Sequence, residues 1–135
     1  MIPIHDDNPT TTRPVVTVGL IAVNALVFLW QLTLTPGQQE MAIYAFGMIP
    51  AVLLQGVALP PDIAGAPAVL TVVTSMFMHG GWMHLLGNML YLWIFGNNVE
   101  DACGHGRFLV FYLACGVVAA LAQAFQDPSS TLPMV

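Results

Sequence analysis

Charged residues are scarce in this chain of 135 residues, which contains two arginines, no lysine and seven acidic residues. A soluble domain usually has about a quarter of its residues charged, and without that polar surface it exposes large apolar patches and aggregates. Hydrophobic residues make up 57% of the sequence. The composition therefore argues against an ordinary soluble domain and predicts an integral membrane protein whose solvent is the lipid bilayer.

Several functional patterns are also missing. Two basic side chains are too few to neutralise the phosphates of a nucleic acid. The His-Glu-x-x-His motif of zinc proteases does not occur, and the long apolar runs contain no carboxylate that could serve an aspartyl protease or a proton relay. The two cysteines lack the spacing of a metal site. We therefore predict no nucleic-acid partner, no metal and no cofactor.

Three apolar runs are long enough to cross a membrane, because about 20 helical residues at 1.5 Å each cover the roughly 30 Å of hydrocarbon. They predict spans at residues 14–34, 80–99 and 108–125. The first run has no basic residue before Arg13 and no cleavage-site pattern after Leu34. We therefore expect it to be a retained span and not a signal peptide.

The two arginines predict the orientation of these spans. Arg13 precedes the first span, Arg107 lies between the second and third, and the segment between the first two spans has no basic residue. The positive-inside bias places both arginines in the cytoplasm. The predicted single domain at 1–135 consists of a cytoplasmic tail at 1–13, the span at 14–34, an outer loop with short interfacial helices at 35–79, the span at 80–99, a cytoplasmic loop at 100–107, the span at 108–125 and an outer turn at 126–135.

Polar side chains concentrate in the second span. His84 and Asn88 stand four residues apart, so both project from one face of a helix. If the span begins outside near Gly80, His84 lies roughly 6 Å deep and Asn88 roughly 12 Å deep. Polar groups at such depth must face the protein interior or a water-filled cavity, and they often mark a functional site. The alternative is that they only join neighbouring helices by hydrogen bonds.

The run MHGGWMHLLGN at 78–88 resembles the second transmembrane helix of rhomboid intramembrane serine proteases. The segment GNNVED at 96–101 and the outer-loop segment FGMIP at 46–50 support the same resemblance. The resemblance implies an all-α fold in which these three transmembrane helices belong to a six-helix bundle. It also implies a cofactor-free serine endopeptidase in a bacterial inner membrane, acting on transmembrane protein substrates.

The resemblance assigns roles to individual residues. His84 and Asn88 would stabilise the oxyanion, and His79 would help to hold the site and the outer loop. The family uses a serine nucleophile in a Gly-x-Ser-Gly motif on the fourth span and a histidine base on the sixth, but the motif is absent here. We therefore expect an incomplete N-terminal portion that is inactive alone. Two alternatives are a rhomboid-like pseudoprotease that binds transmembrane clients and an unrelated three-span membrane protein.

Overall fold

The computed structural model describes residues 9–63 and 65–135 and is built from helices. The predicted tail at 1–13, with His5, lies mostly outside the described residues. The α-helices are α1 at Val15–Thr33, α2 at Pro36–Phe46, α3 at Pro50–Gln55, α4 at Ala68–Thr74, α5 at Trp82–Cys103 and α6 at His105–Gln126, and a 3₁₀ turn follows α4 at Ser75–Phe77.

Within the described residues, α1 and α6 are each long and apolar enough to span a membrane. Helix α5 meets the same requirement only together with Ala68–Phe77, from which it is bent by 81°. Its polar second half explains the difference, because Asn97, Asn98, Glu100 and Asp101 lower its apolar content. The predicted helical membrane fold is confirmed, with two spans or, counting the bent pair, three.

The predicted cytoplasmic loop at 100–107 is wrong in extent. Helix α5 continues to Cys103, and α6 begins at His105, so Gly104 alone separates them. Gly104 has φ +82°, a backbone conformation that favours glycine. Glu100 and Asp101, which indicated a loop, lie within the helix because backbone N–H groups near the start of α1 donate hydrogen bonds to both carboxylates.

The outer loop contains α2, α3 and α4, joined by irregular segments. Thr35 and Gln38 form a capping box at the start of α2, and Pro36 occupies its first turn. Beyond α6 the chain crosses this region, where Met48 and Met134 exchange two backbone hydrogen bonds of 3.1 and 2.8 Å. The Ala51 N–H also donates to the Ser130 carbonyl. The outer loop and the terminal segment are therefore joined beside α6.

Helix α1 packs against α5 along its length. At one end, the Phe28 and Trp82 rings meet edge to face with centroids 5.0 Å apart. At the other end, Gly96 allows Thr17 to approach so closely that a Cβ at position 96 would lie 3.0 Å from the Thr17 methyl carbon. This contact places the start of α1 next to the end of α5.

Candidate functional site

The polar residues predicted from the second span lie together around the start of α5. His79 is buried, with 2% of its surface exposed, in the break between the 3₁₀ turn and α5. His84 and Asn88 lie on α5 with exposed side chains. The structure therefore combines one buried histidine with two polar side chains on the protein surface.

Hydrogen bonds fix the orientation of the His79 ring. Its Nδ1 lies 3.3 Å from the Phe77 carbonyl oxygen, and its Nε2 lies 3.2 Å from Asn88 Nδ2. A carbonyl oxygen can only accept, so Nδ1 carries the proton and donates. Nε2 is then the acceptor for the Asn88 amide. The His79 and His84 rings meet edge to face with centroids 5.1 Å apart.

Gln31 is a member of this cluster that was not predicted from the sequence. It lies on α1, has no exposed surface and forms two hydrogen bonds with the His79 main chain. Its Nε2 donates to the His79 carbonyl at 3.1 Å, and its Oε1 accepts from the His79 N–H at 3.2 Å. An amide inside an apolar run was the available signal, because a polar side chain at that depth needs a partner.

An open cavity of about 800 Å³ lies beside the cluster. Its polar lining residues are Ser75, His79, His84, Asn88, Tyr112 and Gln123. The apolar part of the wall includes Met48, Met134 and Val135 from the outer region. His84 and Asn88 can therefore present hydrogen-bond donors to a group inside this space.

A metal centre finds no support in the part of the chain that the structure describes. Residues 9–63 and 65–135 contain no group of three or more histidine, cysteine, aspartate or glutamate side chains that could hold a metal ion. His79 and His84 are joined by ring contact, and His79 uses both ring nitrogens in hydrogen bonds. The arrangement suits hydrogen-bond donation better than metal ligation.

A second polar cluster lies at the opposite end of α5, beyond the predicted span at 80–99. The buried Glu100 carboxylate accepts from the backbone N–H groups of Val16 and Thr17 and from the Thr17 hydroxyl, at 2.7–2.8 Å. His105 Nδ1 also donates to Glu100, at 2.5 Å. Burial opposes ionisation of Glu100, but these hydrogen bonds outweigh it and lower its pKa to about 2. This cluster joins helices and does not line the cavity beside His84 and Asn88.

Comparisons with known proteins identify the family to which the chain is similar. The family model described as the Rhomboid domain matches residues 66–135. The mouse presenilin-associated rhomboid-like protein, mitochondrial, is 32% identical over 102 residues, which cover 75% of this chain and 23% of that protein. The Bacillus subtilis rhomboid protease GluP is 40% identical over 57 residues, or 42% of this chain and 11% of that protein.

A chloroplastic relative, the rhomboid-like protein 11 of Arabidopsis thaliana, is 42% identical over 55 residues, which cover 41% of this chain and 20% of that protein. The chain thus spans about a quarter or less of the length of these relatives. No solved structure matches it. Because the Rhomboid domain match covers more than half of the 135 residues, the chain belongs to the rhomboid family.

Proposed function

We propose that this chain supplies the oxyanion-stabilising wall of a rhomboid-type intramembrane serine endopeptidase that cleaves transmembrane proteins. The observation that carries the proposal is the placement of His84 and Asn88 on one face of α5, beside an open cavity, with Asn88 held by the buried His79. Family membership supports hydrolase chemistry, and GluP is named as a protease. Membership also excludes the unrelated three-span alternative.

The chemistry of peptide hydrolysis suits these two side chains. When a nucleophile attacks a carbonyl carbon, negative charge develops on the carbonyl oxygen. A histidine N–H and an amide N–H placed beside that oxygen stabilise it, because charge is poorly screened next to apolar walls. Losing one such donor typically lowers the turnover number by about 10²–10³. We assign donation to His84 and Asn88, with His79 in support.

The proposal requires two groups that these 135 residues do not contain in the family's pattern. A serine nucleophile in Gly-x-Ser-Gly and a second intramembrane histidine must come from elsewhere in the protein. The cavity beside His84 and Asn88 leaves space in which such groups could face them. We place the protein in a bacterial-type inner membrane with the N-terminus in the cytoplasm, although its relatives include mitochondrial and chloroplastic proteins.

The second candidate is a rhomboid-like pseudoprotease that binds transmembrane clients in the same cavity. The apolar part of the cavity wall, which includes Met48, Met76 and Met134, would suit such binding equally well. The pair of donors favours the protease, since a binding protein has no need of oxyanion stabilisation. The two candidates differ in whether the whole protein has a reactive serine.

A serine-reactive fluorophosphonate probe separates these candidates. We expect no labelling of the purified 135-residue chain, and labelling of a longer form that carries the Gly-x-Ser-Gly serine and the second histidine. Labelling of the 135-residue chain would contradict its predicted inactivity. Because Ser75 lines the cavity, Ser75→Ala is the control that would identify it as the reacting group. A folded longer form that resists labelling would favour the pseudoprotease.

A further inference from the structure

Gln31 is a polar residue buried within an apolar helix. Its side chain has no exposed surface, and each half of its amide bonds to the main chain of one residue, His79. A buried amide without partners would be strongly unfavourable, so this position is tolerated because both of its polar atoms are satisfied. The pairing places Gln31 Oε1 and Nε2 against the N–H and carbonyl of the segment that leads into α5.

That segment has little regular structure of its own. The 3₁₀ turn ends at Phe77, α5 begins at Trp82, and residues 78–81 connect them through a sharp bend. The His79 N–H and carbonyl therefore do not join a helical hydrogen-bond ladder, and Gln31 replaces the missing partners. The position of the His79 backbone thus depends on a side chain that lies 48 residues earlier in the sequence.

The His79 ring carries this constraint to Asn88. With Nδ1 donating to the Phe77 carbonyl, Nε2 must accept from Asn88 Nδ2. This hydrogen bond selects one orientation of the Asn88 amide and uses one of its two N–H bonds. The second N–H on the same nitrogen remains available for a group in the cavity. If His79 shifted, the Asn88 amide could rotate and present its oxygen, which cannot donate.

We propose that Gln31 is a positioning residue for the proposed oxyanion pair, acting through the His79 backbone and ring on the Asn88 amide. The proposal rests on the proposed function for its catalytic meaning. Its structural part, the dependence of the His79 ring on Gln31, stands without it. Gln31 itself does not line the cavity and touches no reacting group.

The test uses Gln31→Met, which keeps a side chain of similar length but removes both hydrogen bonds. Gln31→Glu is the second variant, because a carboxylic acid buried in this apolar setting stays protonated, so it can accept from the His79 N–H and donate to the His79 carbonyl as Gln31 does. Thr17→Val is the matched control, since Thr17 is also buried and hydrogen-bonded on α1 but lies at its other end, roughly 21 Å away along the helix.

The first readout is ¹⁵N NMR of the histidine-labelled 135-residue chain in detergent micelles, with the His79 signals identified by their loss in His79→Asn. We expect a single Nδ1–H tautomer in the wild type and in Thr17→Val. We expect a mixture of tautomers in Gln31→Met and the wild-type tautomer in Gln31→Glu. An unchanged His79 tautomer in folded Gln31→Met would overturn the proposal.

The second readout is proteolysis by a longer form that carries the nucleophile. Gln31→Met should lower kcat by about tenfold, less than the 10²–10³ expected for losing a donor outright, and should leave KM unchanged. Thr17→Val should change neither constant at a temperature where it is folded. An unaltered kcat in folded Gln31→Met would overturn the positioning role. If Gln31→Met loses the His79 tautomer preference but Asn88→Ala cleaves at the wild-type rate, Gln31 does position His79. The proposed function would then be refuted.

Discussion

At the scale of single residues, Glu100 shows how a charged group is accommodated at the end of a membrane helix. Helix α1 begins after Pro14, and no side chain of its own caps it. The Glu100 carboxylate performs that function from α5 by accepting from the Val16 and Thr17 N–H groups. A negative charge at a helix N-terminus is also favoured by the helix dipole. Glu100 therefore connects the two helices by capping the N-terminus of α1 from α5.

The lowered pKa of Glu100 predicts a pH dependence of stability. Its pKa falls from the usual 4.5 to about 2 in the folded chain, so its stabilising contribution is present above about pH 4.5 and is lost as the pH falls toward 2. We expect the Tm in detergent micelles to decrease between pH 5 and pH 3. Glu100→Gln should lower the Tm at pH 7 and flatten this dependence.

Asp101 provides the control for the pH measurement. It accepts hydrogen bonds from Thr12 and Thr11, which lower its pKa to about 2, but unlike Glu100 it remains in contact with solvent. Exposed charges contribute little to stability, so Asp101→Asn should leave most of the acid sensitivity in place. Loss of the acid sensitivity in Asp101→Asn but not in Glu100→Gln would show that the assignment to Glu100 is wrong.

At the scale of helices, the close approach of α1 and α5 depends on a glycine. A Cβ added at Gly96 would lie 3.0 Å from Leu92 Cδ1 and from Thr17 Cγ2. Thr17 cannot easily move away, because it is fully buried and its hydroxyl is bonded to Glu100. Small residues that allow backbones to approach are a common means of packing membrane helices. The Gly96 contact and the Glu100 cap therefore support each other.

Glycine-to-alanine substitutions on α5 test this packing. Gly96→Ala should reduce the free energy of unfolding by about 1–3 kcal/mol, the usual cost of overpacking. Gly87→Ala is the matched control, since nothing lies within 4 Å of a Cβ at that position. It should be neutral or slightly stabilising, because alanine favours the helix. Both can be measured by reversible denaturation in mixed micelles. Equal effects of the two variants would contradict the packing account.

At the scale of the whole molecule, the segment after α6 is hydrogen-bonded to the loop between α2 and α3, and a cavity lies open beside α5 and α6. The terminal segment pairs with the outer loop through Met48 and Met134, whereas the cavity along α5 and α6 remains open. His84 and Asn88 face that opening, and the buried His79 and Gln31 lie behind them. Hydrogen bonds from Gln31 to His79 and from Asn88 to His79 thus join the cavity wall to α1 behind it.

Much of this architecture could be predicted from the sequence. Long apolar runs indicated α1 and α6, and the spacing of four between His84 and Asn88 indicated their shared face. These features are local, because a helix determines which neighbours share its face. The continuation of α5 past Val99 was not predicted. Two adjacent acidic residues usually indicate a loop, and the sequence does not show that Glu100 and Asp101 have hydrogen-bond partners near Thr17.

The support behind the site was missed for the same physical reason. Gln31 and His79 lie 48 residues apart, and no periodicity in either segment indicates that they meet. The sequence does indicate that Gln31 needs a hydrogen-bond partner, because it is an amide within an apolar helix. This indication identifies the residue but not its partner. Only the packing of α1 against the bend before α5 places the two together.

The most direct test of the central claim is the rate at which a longer form, carrying the Gly-x-Ser-Gly serine and the second histidine, cleaves a single-span substrate in proteoliposomes. Asn88→Ala and His84→Ala should each lower turnover by about 10²–10³, or about 2.7–4 kcal/mol, without loss of folded protein in the membrane. Asn97→Ala, on the same helix but outside the cavity lining, should retain wild-type turnover. Wild-type cleavage by both Asn88→Ala and His84→Ala would contradict the account.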